Sequence, residues 1–242
     1  MAISSDDGLA LTVSKSSAKI WNIASRQIIQ SLTPSTLSSS SKKSGCYGLC
    51  GAFLPGNEHV IVGTREGHLI TIDISSGEVV DAEENAHENA IWALDIRHPT
   101  ANNASVTLVT GSADKSVKFW DIEADEEAGG PVLVHSRTLQ MSDEVGPVRF
   151  SSSTQSRQRM VFVATLDSTI KVFFEDSLKL FLNLYGHKLP ALAVDASDDD
   201  MLLALMESEF SIYDTSVVRT TSAADDNNDE QTMQDLLKQV DV

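Results

Sequence analysis

Residues 86–122 read AHENAIWALDIRHPTANNASVTLVTGSADKSVKFWDI. The order of features is what matters here: His87, an apolar stretch at 91–96, a loop, a second apolar stretch at 107–110, a turn bearing Asp114, and a third stretch ending in Trp120 and Asp121. Asp114 and Trp120 stand six positions apart, and with these two as anchors four other segments fall into register: 15–21 (KSSAKIW), 66–72 (EGHLITI), 167–173 (DSTIKVF) and 207–213 (ESEFSIY). Within each, the inner positions alternate: Ala18 and Ile20, Leu69 and Thr71, Val117 and Phe119, Ile170 and Val172, Phe210 and Ile212. That is the period of two expected of a strand with one face turned inward.

The anchors Trp21, Ile72, Trp120, Phe173 and Tyr213 recur roughly every 40 to 53 residues, the period of propeller blades once loop insertions are allowed. Ahead of each anchored turn lies another strand candidate, at 9–13, 59–62, 107–110, 160–164 and 201–205. Innermost strands are expected at 48–53, 91–96, 146–150 and 191–195, and none before Leu9, so that the first unit starts inside a blade. Short strands separated by polar turns, with no helical periodicity until the last few residues, predict an all-β fold. A propeller satisfies the pattern, because radial repetition buries sheet faces between neighbours.

Bulk properties narrow the function classes. The formal charge is −17, from 35 acidic against 18 basic residues, and a surface of that sign does not attract phosphate backbones. The basic clusters, Lys42 with Lys43 and Arg157 with Arg159, fall in polar loops. The apolar runs are too short to span a bilayer, and Asp6 and Asp7 lie where a secretory leader needs a basic and then an apolar stretch, so no membrane is expected. Cys46 and Cys50 (CYGLC) have no second Cys or His pair close by and read as reduced thiols in an intracellular compartment. His59, His68, His98 and His135 show no metal-ligand spacing and read as loop or surface residues. Gly-rich phosphate cradles are absent. No metal, cofactor or small-molecule substrate is expected.

His87, Ser112 (or Thr110) and Asp114 are the residue types of a hydrolase triad, but no strained nucleophile turn surrounds Ser112. The unit instead resembles the WD-repeat family, whose blades carry Gly-His near their start and Trp-Asp near their end. There, His87, Ser112 or Thr110, Asp114 and Trp120 would form a hydrogen-bonded structural network within the blade, since each polar group is costly if buried unpaired. The third unit has Ala86 before its His87, the fifth opens on Tyr185-Gly186-His187, and the fourth has Asp143 in place of His and Phe173 in place of Trp. Lys15, Glu66 and Glu207 replace the turn Asp elsewhere.

Four stretches, 47–67 (YGLCGAFLPGNEHVIVGTREG), 86–94 (AHENAIWAL), 110–121 (TGSADKSVKFWD) and 178–192 (LKLFLNLYGHKLPAL), resemble more closely the branch of the WD-repeat family found in the UtpB subcomplex of the small-subunit processome. The resemblance implies a non-catalytic scaffold in the nucleolus, acting in maturation of small-subunit (18S) rRNA with a box C/D small nucleolar ribonucleoprotein. Its partners would be other UtpB and processome proteins, with precursor rRNA or small nucleolar RNA met through the assembly. The alternative is a WD-repeat adaptor outside the nucleolus.

The expected organisation is blades at 1–33, 46–80, 86–140, 141–184 and 185–219, followed by an acidic disordered tail at 220–242 with a short helix near its end. Residues 33–45, rich in Ser, and 123–131, acidic and Gly-containing, read as insertions. Five blades predict an open ring that further blades or another chain would complete. Binding is expected on loop rims, with no contact residue identifiable.

Overall fold

The structure, a computed structural model, describes residues 1–14, 17–32, 47–99, 105–125, 130–151, 159–197, 201–206 and 210–214. The serine-rich insertion, Cys46, the tail and its expected helix lie outside these residues. Every described element is a strand, and the strands form five antiparallel sheets, each made from consecutive segments of chain. The fold is all-β, five blades of the β-propeller class.

Blade 1 is β1 (Ala2–Ile3), β2 (Leu9–Ser14), β3 (Ser17–Asn22) and β4 (Gln27–Leu32). Blade 2 is β5 (Gly48–Phe53), β6 (His59–Thr64), β7 (Leu69–Asp73) and β8 (Val79–Glu83). Blade 3 is β9 (Ile91–Arg97), β10 (Val106–Ser112), β11 (Ser116–Asp125) and β12 (Gly130–Gln140). Blade 4 is β13 (Val145–Phe150), β14 (Met160–Thr165), β15 (Ile170–Phe174) and β16 (Leu180–Leu184), and blade 5 has three described strands, β17 (Ala193–Ala196), β18 (Met201–Leu205) and β19 (Phe210–Asp214). The chain divides into two compact units, Met1–Val145 and Gly146–Val242.

Two sequence expectations are corrected. Blade 1 does possess an innermost strand, β1, whose two residues are too few to show an alternation. The described residues of the acidic insertion are strand, because β11 runs on through Asp125 and β12 begins at Gly130, paired from Ser116↔Gln140 to Asp125↔Gly130. His59 and His135 lie on strands, in β6 and β12, and His135 is exposed at the surface.

Burial is two-sided, not one-sided. In β6 all residues after His59 are buried, and the first four of β7 are buried as well, because the blade 2 sheet is covered by blade 1 on one face and by blade 3 on the other. Within the first unit, Leu11, Ala18, Ile20 and Leu32 of blade 1 pack on Val60, Val62, Ile70 and Ile72 of blade 2. Ile61 and Leu69, on blade 2's other face, pack with Leu94, Leu108 and Trp120 of blade 3. Within the second unit, Phe162, Ile170, Val172 and Leu184 of blade 4 pack on Val194, Leu202, Ala204 and Tyr213 of blade 5. A fully buried aliphatic side chain of this kind stabilises by roughly 1.5–3 kcal/mol.

The anchors mark equivalent places in the blades. The pairing between third and fourth strands slips at Ile20/Trp21, Thr71/Ile72, Phe119/Trp120 and Val172/Phe173, so the anchors of blades 1 to 4 each sit at a β-bulge. The turn before the third strand likewise repeats a left-handed residue, at Gly67, Lys115 and Ser168.

Candidate functional site

The polar centre of the first unit is built in blade 3 from the connection before β9, the β10–β11 turn and the end of β11. Asp114 opens a turn whose next residue, Lys115, is left-handed at φ 67°, and its carboxylate closes that turn by accepting from the Ser116 amide at 2.9 Å. The same Oδ1 accepts from the Ser116 hydroxyl at 2.6 Å, and Oδ2 accepts from the Glu88 amide at 3.1 Å. The Nδ1–H of His87 donates to Asp114 Oδ2 at 2.8 Å, with the Ser116 hydroxyl 3.1 Å from the same nitrogen. Across the ring, Nε2 lies 2.8 Å from the Thr110 hydroxyl, which also accepts from the Trp120 indole N–H at 3.0 Å.

The chain is therefore Asp114–His87–Thr110–Trp120, with Asp114 setting the His87 tautomer. Of the two hydroxyls weighed from the sequence, Thr110 carries the link to Trp120. Ser112 is buried beside the chain, where it donates to the Asn89 carbonyl at 3.2 Å and accepts from the Asp114 amide at 3.1 Å. Both hydroxyls are fully buried, so neither is presented to solvent as a nucleophile.

Burial pushes His87 below its ordinary value, with Asp114 opposing, and the imidazole is neutral at physiological pH. Burial alone would raise Asp114, but the Ser116 hydroxyl, His87 and the Glu88 amide outweigh it and hold the carboxyl below the usual range.

The other blades carry parts of the same design. By register, the positions of Thr110 and Trp120 are Thr12 and Trp21 in blade 1, Val62 and Ile72 in blade 2, Val163 and Phe173 in blade 4, and Ala204 and Tyr213 in blade 5. Blade 1 keeps the indole bond, Trp21 Nε1–H to Thr12 Oγ1 at 2.9 Å. Blades 2 and 4 place apolar pairs there, all buried. In blade 4 Asp167 closes its turn without a His, accepting from the Thr165 and Thr169 hydroxyls at 2.5 and 2.6 Å and pairing with Lys171 at 3.3 Å, while Asp143 pairs with Lys115 at 3.7 Å. In blade 5 the Tyr213 hydroxyl reaches His187 Nε2 directly at 2.7 Å, and the small Ala204 occupies the place of the bridging Thr.

A second feature of the first unit was not assigned from the sequence. Between β9 and β10, Ala93 faces Gly111 and Ile91 faces Ser112, which leaves Trp92 as the unopposed residue of a bulge. Leu49 is left unopposed in the same way between β5 and β6, where Gly48 faces Thr64 and Cys50 faces Gly63. Both side chains line a depression of about 460 Å³, together with Tyr47, Arg65, Asn89 and Glu144. Trp92 is 49% exposed. The one available signal was an indole in an otherwise ordinary inner strand, and a bulge cannot be read from residue type.

Cys50 is partly buried against blade 3, its thiol donating to the Ile91 carbonyl at 3.4 Å, and desolvation of the sulfur pushes its pKa up to about 12. Among the described residues no group of His, Cys, Asp and Glu is placed to hold a metal ion.

Comparison with known proteins places these features in a family. The chain is 40% identical over 202 residues to U3 small nucleolar RNA-associated protein 12 of Saccharomyces cerevisiae, covering 80% of this chain and 19% of that protein. It is 37% identical over 194 residues to human WD repeat-containing protein 3, covering 78% and 18%, and 36% identical over 199 residues to the Dictyostelium discoideum homolog of that protein, covering 80% and 19%. The chain thus spans about a fifth of the length of these relatives. A family model described as the WDR3 second beta-propeller domain matches residues 1–213, which takes in all five blades, and the chain belongs to that family.

Proposed function

We propose that the chain is a non-catalytic scaffold in ribosome biogenesis, a nucleolar component of the small-subunit processome that supports maturation of small-subunit rRNA alongside a box C/D small nucleolar ribonucleoprotein. The observation that carries this reading is the match of residues 1–213 to a domain family whose relatives include a U3 small nucleolar RNA-associated protein. The blade 3 geometry supports a scaffold, because its His, hydroxyl and carboxylate groups are spent on one another in the interior. We read the Asp114–His87–Thr110–Trp120 chain as a structural network that fixes the β10–β11 turn against the start of the blade. The charge of −17 favours protein partners, those of the UtpB subcomplex, with RNA held by other members of the assembly.

The test is affinity purification of the tagged chain from nucleolar extract. Recovery of UtpB proteins together with precursor rRNA and a box C/D small nucleolar RNA is expected; clean recovery with none of these overturns the reading. A fluorescent fusion is expected in the nucleolus, and a purely cytoplasmic signal would point instead to an adaptor elsewhere in the cell.

A further inference from the structure

Two inner strands of the first unit break register at equivalent places, and each break turns its extra residue, Leu49 in β5 and Trp92 in β9, toward one depression. A bulge re-aims a side chain that the ladder would otherwise hold in line. Here two neighbouring blades re-aim an apolar and an aromatic side chain to the same spot, and Trp92 stays half exposed. Tryptophan in such a position is among the residue types that dominate protein–protein binding energy.

The charges around the depression have a sign. Glu144 lines it, and Glu66 accepts from the amide of the lining residue Tyr47 at 3.2 Å. Against these two carboxylates stands the guanidinium of Arg65, since Lys115 is matched by Asp143 at 3.7 Å. The local balance is acidic, as is the whole chain at −17, which disfavours a phosphate backbone and favours a cation.

We propose that this depression is a docking site for an extended peptide segment of a protein partner, bearing an arginine or lysine beside an apolar residue. The apolar side chain rests on Leu49 and Trp92, and the cation is drawn to Glu144 and to the indole face. The proposal refines the scaffold reading by naming a contact surface and its partner's chemistry.

The test is selection of a displayed random peptide library on the 242-residue chain, with fluorescent versions of the enriched peptides then titrated against the protein and its variants. Enrichment of Arg or Lys next to an apolar residue is expected. Trp92→Ala should weaken those peptides at least tenfold while leaving the thermal midpoint unchanged, and Glu144→Gln should weaken them severalfold and reduce the salt dependence. No enrichment, enrichment of acidic peptides, or binding indifferent to Trp92→Ala overturns the proposal, as does a fluorescent poly-uridine that binds the chain and is lost in Trp92→Ala. Because this assay contains no nucleolar component, its failure leaves the processome reading standing, and a failed purification leaves peptide binding standing.

Discussion

Thr110 is the residue on which the blade 3 interior turns, because one hydroxyl serves both His87 Nε2 and the Trp120 indole N–H. Thr110→Val keeps the shape but strands two buried polar groups, and the expected cost is about 2–4 kcal/mol in urea denaturation. Trp120→Phe removes one donor and should cost about 1 kcal/mol beyond its packing loss. On the Thr110→Val background Trp120→Phe should cost less, since the indole no longer has an acceptor to lose, and a double-mutant cycle reads that coupling. Blade 2 shows where such a path leads: Val62 and Ile72 fill the two positions with hydrocarbon and are fully buried. Acidity should act on the same residue cluster. With His87 depressed below 6.5 in the fold, the unfolded chain takes up its proton first, so this contribution to stability is whole above that value and drains away as pH falls below it. Asp114, also depressed, loses its contribution in the same direction below its ordinary 3.8. Urea midpoints should therefore fall from pH 7.5 to 5.5, and His87→Gln should flatten that slope.

At the scale of strands and turns, the blades are tied together by close backbone approaches. Gly67, left-handed at φ 85° in the β6–β7 turn, accepts from the His87 amide at 2.9 Å, and a Cβ there would meet the His87 carbonyl at 2.2 Å. Gly67→Ala is expected to cost roughly 2–4 kcal/mol, through strain and displacement of His87 together, visible as a lowered thermal midpoint. How much of this level was legible follows from burial. The middle strands β2, β6, β10, β14 and β18 were readable to within a residue or two because their runs are apolar and bounded by turns. The outer strands β4 and β8 were not, since QIIQSL is mostly exposed and VVDAE is half-buried throughout, so neither shows an alternation. The blade 3 network was legible as a set of residue types, but the choice between Ser112 and Thr110 was not, because residues two apart leave the same side of a strand and only the folded geometry puts Thr110 within reach of the Trp120 indole; the bulge opposite Gly111/Ser112 lies on β9. The same register break hid Trp92.

For the molecule as a whole, net charge and exposed hydrocarbon pull in opposite directions. Leu203 and Leu205 stand on one face of β18, 43% and 47% exposed, with Leu192, whose amide donates to the Leu205 carbonyl at 2.8 Å, 65% exposed. An apolar patch of that kind invites association, which a charge of −17 restrains at low salt and restrains less as salt screens it. Light scattering should thus rise with ionic strength, and Leu203→Glu with Leu205→Glu should suppress the rise with little change in thermal midpoint. A rise undiminished in that variant would place the sticky surface elsewhere.

The bulges at Leu49 and Trp92 have a consequence for how such a repeat array diversifies. A side chain without a cross-strand neighbour contributes little to the ladder, so mutation can rewrite it at small cost to folding. Copies of one blade plan can then drift apart in what they recognise while their interiors stay under the same packing constraint, which makes each inner-strand break a natural seat for new specificity.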